Sequence, residues 1–564
     1  MKIDLRKSSK LEPSLNKIYN EISKSKVYLF NQLLEKTIKQ IDKKKIDFFV
    51  SNTFDRSPLN SSLFKNFIDL FFLDALLKKN YKIDIVITDS QAFYNLLLKH
   101  FDKKFNQINL INKKKNFLKL LYSNLSVLIL LIIRVFIKVF FIKKKKIIKD
   151  KQLIFIDTFI LPTHIDEDRY YTGLIDILNQ EKIINNIQIY FIPTITNIHI
   201  SNFFNYYKKV LISDRNFFIK DSYLKISDYF YAIFHYARIK KIRFNEVKLN
   251  EIDYSDLINE DLNDIKYNTS IESLLNYRFI KNLYKNKINI IKFINWWENQ
   301  PIDKGYNLAL KKYYKNTNVL GYIGFVPRNF DFQLFPTDYE IKLNMIPDSI
   351  GVIGKGYKEI VNKFSTNINI IDLPALRFDH IFKHKFKINK TKNKNILIAL
   401  PVDIFKSISL LDNIPKNLDK IFPQFQINII VKSHPQTPEN LTLKNFNINN
   451  YKNCIIGQKS TLSYLKECDV LISSMSSICM EALAIGKPCL VFDESIGVEY
   501  NPIPNDVDEI LWKLCKDNIQ ILENLSFFLD INTKNNDLIE NQSKFIKEKY
   551  FIENNKINTI NFIN

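Results

Sequence analysis

The stretch Asp469–Phe492, DVLISSMSSICMEALAIGKPCLVF, constrains the fold of this chain more than any other. It opens with a short apolar run suited to a buried strand. Ser473, Ser474, Ser476 and Ser477 follow where that strand should end. Met475–Ile485, rich in Ala, Leu and Met, predicts a buried helix. Gly486 is placed to cap it, Pro488 prevents its continuation, and Cys489–Phe492 returns as a strand. Strand, helix and strand in that order make a βαβ unit, which calls for a parallel sheet. Hydroxyls and unpaired backbone N–H groups then meet at the start of the helix, an end that attracts anions. Ligands of open α/β sheets sit at the carboxyl ends of the strands. A phosphate at Ser474, Ser476 and Ser477 is therefore expected, with Glu481 further along the helix to accept from ribose hydroxyls. The plainer alternative is that the serines only cap a core helix.

A second element favours the ligand. Ile427–Pro435, INIIVKSHP, is a buried strand ending in Lys-Ser-His-Pro. Pro435 holds the backbone before it extended, so His434 points from the same sheet edge as the serine turn. Lys432 and His434 both donate to phosphate oxygens.

With these two motifs in hand, the C-terminal third resembles the nucleotide-binding domain of GT-B glycosyltransferases. It is most similar to surface-polysaccharide enzymes with cytidine-linked donors: polysialyltransferases, capsule Kdo transferases and teichoic-acid glycerophosphate polymerases. The carriers of the resemblance are His434-Pro435, Ser473–Ser477 and EALAIGKPCLVF, within Asn395–Pro504. Upstream it is looser, where Trp297–Gln300 (WENQ), Gly321–Gly324 and Pro374–Phe378 (PALRF) resemble a group of surface-carbohydrate proteins. The resemblance implies that His434, Ser474, Ser476 and Ser477 bind the donor phosphate and nucleotide. It also implies a metal-independent, inverting transfer with no cofactor, the CMP- or CDP-linked sugar being the substrate.

At 564 residues the chain is long enough for two or three domains. Its net charge of +23 invites a nucleic-acid reading, but Lys is spread evenly with Asn and Ile, and no nucleic-acid-binding motif is present. An anionic membrane face and anionic sugar nucleotides account for the charge better. The five cysteines include no CxxC pair, which fits reduced thiols in a cytoplasmic protein and no metal site. The N-terminus lacks the apolar core of a signal peptide.

The expected architecture is α/β: two Rossmann-like domains facing across a cleft. Residues 1–45 read as a polar helical lead-in, and 46–378 as the N-terminal, acceptor-side domain. Residues 395–510 read as the nucleotide-sugar domain and 511–564 as terminal helices, the last of which would cross back to the first domain. Ile46–Ser51 reads as the first strand, and Phe378–Lys394 as the linker. The apolar run within 116–146 interrupts the alternation. Its densest part, Val127–Ile142, is shorter than the ~20 residues a span needs and contains Arg134 and Lys138. Strands on both sides of it read as one sheet, which argues against a span. A monotopic helix or hairpin is expected, with Lys143–Lys146 near anionic headgroups at the inner membrane; a true span and a buried core helix are the alternatives.

Glycosyl transfer needs a base for the acceptor hydroxyl and cations for the leaving phosphate. Three carboxylates at first-domain strand ends are candidates for the base. Asp168 lies in the Asp166–Asp168 loop, which loosely resembles the paired acidic motif of polysialyltransferases but has Arg169 where they have Gly. Glu298 sits beside two tryptophans, where desolvation raises a carboxyl pKa. Asp157 ends its own strand. An Asp-X-Asp metal site of the GT-A kind is a minor alternative for the same loop, and Arg377 is placed to reach the cleft from the domain junction. The leading expectation is a glycosyltransferase acting on a glycan or lipid-linked acceptor at the cytoplasmic membrane face. A sugar-nucleotide 2-epimerase and an inactive GT-B-like scaffold are the alternatives.

Overall fold

The computed structural model describes all of the chain except residues 7–8, 43–44, 59–60, 102–103, 112–116, 143–151, 162–163, 167, 182–186, 196–199, 264–266, 385–390, 475 and 532–535. The lysines at 143–146, Glu167 and Met475 thus lie outside the described residues.

Two six-stranded parallel sheets carry the chain. The second holds, in spatial order, Cys454–Ile456, Gln426–Lys432, Asn393–Ala399, Val470–Ser473, Cys489–Phe492 and Trp512–Cys515. Numbered along the chain this is 3-2-1-4-5-6, the Rossmann order, whose direction reverses between Asn393–Ala399 and Val470–Ser473. Its inner strands are continuous apolar runs because helices cover both faces. The helix of the βαβ unit is Ile478–Ala484. It ends as its sequence requires: Gly486 has φ +75°, and Lys487 N–H donates to the Ala482 carbonyl at 2.9 Å, closing a Schellman motif.

The first sheet holds Asn369–Asp372, Ser349–Val352, Asn318–Ile323, Lys292–Trp296, Gln152–Ile160 and Ile187–Ile195. Its order reverses between Lys292–Trp296 and Gln152–Ile160. Two Rossmann-like domains with a cleft between their strand ends make the GT-B arrangement.

Several boundaries differ from the sequence reading. Ile46–Phe49 is a short helix, not the first strand; Asp47 within it is buried against His235 and Arg238. Lys2–Asp4 is a strand and pairs with Ile85–Thr88, which pairs with Gln107–Leu110. These three form a separate sheet, so the strands before and after the apolar run do not share one sheet. Residues 1–45 are therefore more than a lead-in. Helix Pro13–Lys39 begins with Pro at its first turn and buries Leu15, Tyr19, Val27 and Phe30. It also reaches the second domain, where Glu499 N–H donates to Asn20 Oδ1 at 2.7 Å. The second domain does not end at 510, because Trp512–Cys515 is its edge strand, paired with Cys489–Phe492. The linker is shorter than expected at both ends, with Asp379–Lys383 helical and Lys394 already in a strand.

The C-terminal helices do cross back. Helix Asn536–Tyr550 leaves the second domain, where Ser543 Oγ donates to the Ala484 carbonyl at 2.6 Å. It then packs Tyr550 on Tyr357 of the first domain, with ring centroids 5.1 Å apart. Gly354 permits that approach: a Cβ there would lie 2.3 Å from the Tyr550 carbonyl carbon. Helix Lys556–Ile563 finishes on the first domain, with Phe562 against Tyr322.

The apolar run forms one helix, Phe117–Phe140. Among the described residues no helix is long and apolar enough to cross a membrane. One face of this helix, Val127, Leu131, Arg134 and Ile137, is buried in the protein. Arg134 explains why the helix is docked. Its Nε donates to Asp221 Oδ1 at 3.0 Å and its Nη1 to Glu272 Oε2 at 2.6 Å, and Lys138 Nζ donates to the Asp221 carbonyl at 2.8 Å. Arg134 and Lys138 are thus both turned toward the protein. The opposite face is bare: Ile132 is 59% exposed and Phe140 67%, with Leu125, Leu128, Phe136 and Val139 beside them. A sequence apolar all round thus serves two surroundings, one on each side of the helix.

Candidate functional site

A cavity of about 1540 Å³ opens between the two domains. The second domain contributes Ala399 and Leu400 at the strand-order reversal, Lys432–Pro435, and Ser476, Ser477 and Glu481 of the βαβ unit. The first contributes the loop after Gln152–Ile160, with His164, Asp166, Asp168 and Arg169, together with Arg215. The connector adds Arg377 and His380. The end of the serine strand is tied to its neighbour across the strand-order reversal: Ser473 Oγ donates to the Ala399 carbonyl at 2.7 Å. Ser474 is fully buried and is not on the wall, whereas Ser476 and Ser477 are.

His434 is half-buried on the wall. Its Nδ1 accepts from Gln436 N–H at 3.2 Å, so the neutral ring carries its proton on Nε2 as a donor. Burial, then Arg169 and Arg377, push its pKa down to about 4. An arriving anion reverses that penalty. Nucleotide binding near pH 6 is therefore expected to take up a fraction of a proton, and affinity to rise as pH falls from 7 toward 5. Calorimetry in two buffers of different ionisation enthalpy measures this, and His434→Gln is expected to abolish it. Lys432 is also on the wall, its Nζ donating to the Gly457 carbonyl at 3.0 Å. Glu481 faces His380, with Oε2 3.1 Å from Nε2.

The three candidate bases occupy different surroundings. Asp168 is on the wall, but its oxygens are in use: Oδ1 accepts from Tyr170 and Tyr171 N–H at 2.8 and 2.9 Å, and Oδ2 pairs with Arg215. Asp157 is wholly buried and does not line the cavity; burial pushes its carboxyl up to about 7. Glu298 does not line the cavity either. It is half-buried at the end of Lys292–Trp296, accepting from Trp296 Nε1 at 3.0 Å and Gln300 Nε2 at 2.5 Å. Burial raises its pKa, Asp331 and Asp55 add to the rise, and Arg377 acts against it. The structure thus brings Lys432, His434, Ser476, Ser477, Glu481 and Asp168 to one cavity, and leaves Ser474, Asp157 and Glu298 off its wall.

Sequence reasoning missed the contributions of Arg169, Arg215 and His380. Arg169 was visible only as a departure from a glycine, and its direction depends on the turn that Asp168 holds. His380 follows the PALRF segment directly, yet nothing local marks it as facing Glu481.

No protein-family model matches the chain, and no curated protein gives a significant match. Among solved structures, the chain is similar to S. aureus MnaA bound to UDP, with a TM-score of 0.43 and 11% identity over 73% of this chain and 95% of that one. It is similar to the Neisseria meningitidis UDP-GlcNAc 2-epimerase bound to UDP-GlcNAc, at TM-score 0.43 and 13% identity over 73% and 99%. It is also similar to the wall teichoic acid polymerase TagF, at TM-score 0.39 and 10% identity over 80% and 97%.

Proposed function

We propose that this protein is a glycosyltransferase that moves a sugar from a nucleotide-linked donor, cytidine-linked by preference, to a surface glycan or lipid-linked acceptor. The observation that carries the reading is the cavity at the strand-order reversal of the second domain, where His434, Ser476 and Ser477 face arginines of the first domain and the connector. Ligands of open parallel sheets bind at that reversal. His434 Nε2–H and the serine hydroxyls donate to the donor phosphate, and Arg169 and Arg377 neutralise the leaving nucleotide. Glu298, at the end of Lys292–Trp296, is the general base, its pKa raised above the ordinary glutamate value by burial. Asp168 is a positioning residue that shapes the turn carrying Arg169. Cationic side chains do the work a metal ion does elsewhere. The test is product analysis with cytidine-, uridine- and guanosine-linked sugars and bacterial glycan acceptors. An acceptor gaining one sugar mass is the expected product. A free epimerised sugar nucleotide would replace this reading with the epimerase, and no product with bound nucleotide would replace it with a scaffold.

The bare face of helix Phe117–Phe140 supports peripheral attachment to an anionic membrane surface. Phosphatidylglycerol vesicles are expected to sediment the protein. Ile132→Ser with Phe140→Ser is expected to weaken that binding by about tenfold or more, since each buried side chain is worth about 1.5–3 kcal/mol. Unchanged sedimentation of the double variant would remove this helix from the membrane contact.

A further inference from the structure

Among the described residues, ten other than glycine have a positive φ; seven of them are exposed, and Arg56, Asn299 and Ser495 are buried. The left-handed region costs a residue with a side chain free energy, so it persists in a core only where the surroundings impose it. Each of the three buried cases directly follows an acid: Asp55, Glu298 and Glu494. Two of them, Arg56 and Asn299, are far apart in sequence yet belong to one hydrogen-bonded network.

Glu340 is the centre of that network. Arg56 Nη2 donates to its Oε2 at 2.8 Å, and Asn299 Nδ2 to its Oε1 at 3.1 Å. The same two side chains share the Gln333 carbonyl, at 3.2 Å from Arg56 and 2.7 Å from Asn299, and Arg56 also donates to the Phe335 carbonyl at 2.9 Å. Glu340 Oε2 accepts further from Thr337 N–H and Oγ1, at 3.1 and 2.9 Å. Arg56 Nη1 reaches Asn31 Oδ1, at 3.4 Å, on helix Pro13–Lys39. The Arg56 and Glu340 side chains are wholly buried. Such a pair adds little net stability, since apolar side chains of similar volume serve as well. What it supplies here is a fixed geometry.

That geometry bears on Glu298. With φ +52° at Asn299, the chain turns back on itself, and Gln300 Nε2 donates to Glu298 Oε2 at 2.5 Å. Asp303 Oδ2 closes the turn, accepting from Glu298 and Gln300 N–H at 3.1 and 3.0 Å. Trp296 Nε1 holds the other carboxylate oxygen at 3.0 Å. The residue between Glu298 and its second donor is the one that Glu340 anchors. We infer that Arg56, Glu340 and Asn299 are positioning residues that hold the turn aiming the Glu298 carboxylate, a role in catalysis that rests on Glu298's being the base.

The test needs no substrate. The chain has three tryptophans, so a sample labelled with ¹⁵N in the indoles gives three N–H resonances, and Trp296→Phe assigns the one that donates to Glu298. In the wild type this resonance is expected to titrate with a midpoint above the ordinary glutamate value of 4.5, and Glu298→Gln to abolish the titration. Trp512, whose Nε1 donates to the Val507 carbonyl in the second domain, is the folding reference. Asn299→Gly keeps the left-handed turn without strain and removes only its anchor. Asn299→Gly and Arg56→Ala are each expected to raise the Trp296 midpoint by about one pH unit, because a carboxylate that loses a donor holds its proton more tightly. Arg56→Lys keeps the charge but not the fork, and is expected to fall between. No titration in the wild type, or a midpoint unmoved or lowered in Asn299→Gly, overturns the inference, and that variant decides it even if Arg56→Ala fails to fold. Full turnover in Glu298→Gln would instead defeat the reading of Glu298 as the base.

Discussion

Arg134→Ala is expected to lower the unfolding free energy by about 3–5 kcal/mol, because removing one partner of a buried ion pair strands the others. Asp221 and Glu272 would remain in the core facing a void, with Tyr207, Tyr229 and Lys220 as their remaining neighbours. Burial opposes the charges of this cluster, but the mutual pairing outweighs it. Arg134 is held well above its ordinary pKa by Asp221 and Glu272, and Glu272 is brought down to about 2 by Arg134 and Lys220. The sign of the pH dependence follows. A carboxylate whose folded pKa is depressed stabilises the protein above its unfolded pKa of 4.5, and that contribution is lost as pH falls toward 2. Arg134→Met fills the volume but leaves Asp221 without its cation and Glu272 with Lys220 alone, so it is expected to be nearly as damaging. Combining it with Asp221→Asn, while Glu272 stays paired with Lys220, is expected to recover much of the loss. Urea unfolding followed by tryptophan fluorescence measures all three. A loss below about 0.5 kcal/mol, the range of ordinary surface substitutions, would mean that the apolar helix is not docked as described.

Glu298→Gln is expected to reduce turnover by about 10²–10⁴-fold, the usual contribution of a general base. Nucleotide affinity should stay nearly unchanged, since a base acts on the acceptor hydroxyl and not on the nucleotide. Its raised pKa sets a second signature. A base works only when deprotonated, so kcat/KM should fall as pH is lowered, with a midpoint above the ordinary glutamate value of 4.5. Asp168→Asn is expected to act differently: it loosens Arg215 and the turn carrying Arg169, raising KM more than it lowers kcat. If Glu298→Gln kept full turnover while Asp168→Asn lost it, the base would be Asp168.

The second domain was readable because its strands are continuous apolar runs punctuated by Gly and Pro. Residues such as Gly486 and Pro488 fix the chain direction locally. The edge strand Trp512–Cys515 was lost because its four residues, WKLC, carry no alternation that separates them from the start of a helix. Ile46–Phe49 misled for the opposite reason. A short apolar run suits strand and helix equally, and only the pairing of Asp47 with His235 and Arg238, distant in sequence, decides it. The pairing of Lys2–Asp4 with Ile85–Thr88 is equally non-local.

The same division runs through the site. Lys432, His434, Ser476 and Ser477 were legible because each ends or follows a strand at the edge where ligands bind. Ser474, in the same run, is buried together with Ser473 and does not reach the wall. Arg377 was legible at the domain junction, whereas Arg169 was marked only as a departure from a glycine; both line the cavity.

The most direct test of the central claim is a thermal-shift panel of CMP, CDP, UMP, UDP, GDP and ADP on the purified protein. A ligand that binds only the folded state at a hundredfold excess over its Kd adds about 2.7 kcal/mol of stability. The account predicts stabilisation selective for one base, cytidine by preference, that is lost in His434→Ala. Stabilisation by no nucleotide, or an undiminished shift in His434→Ala, would contradict it.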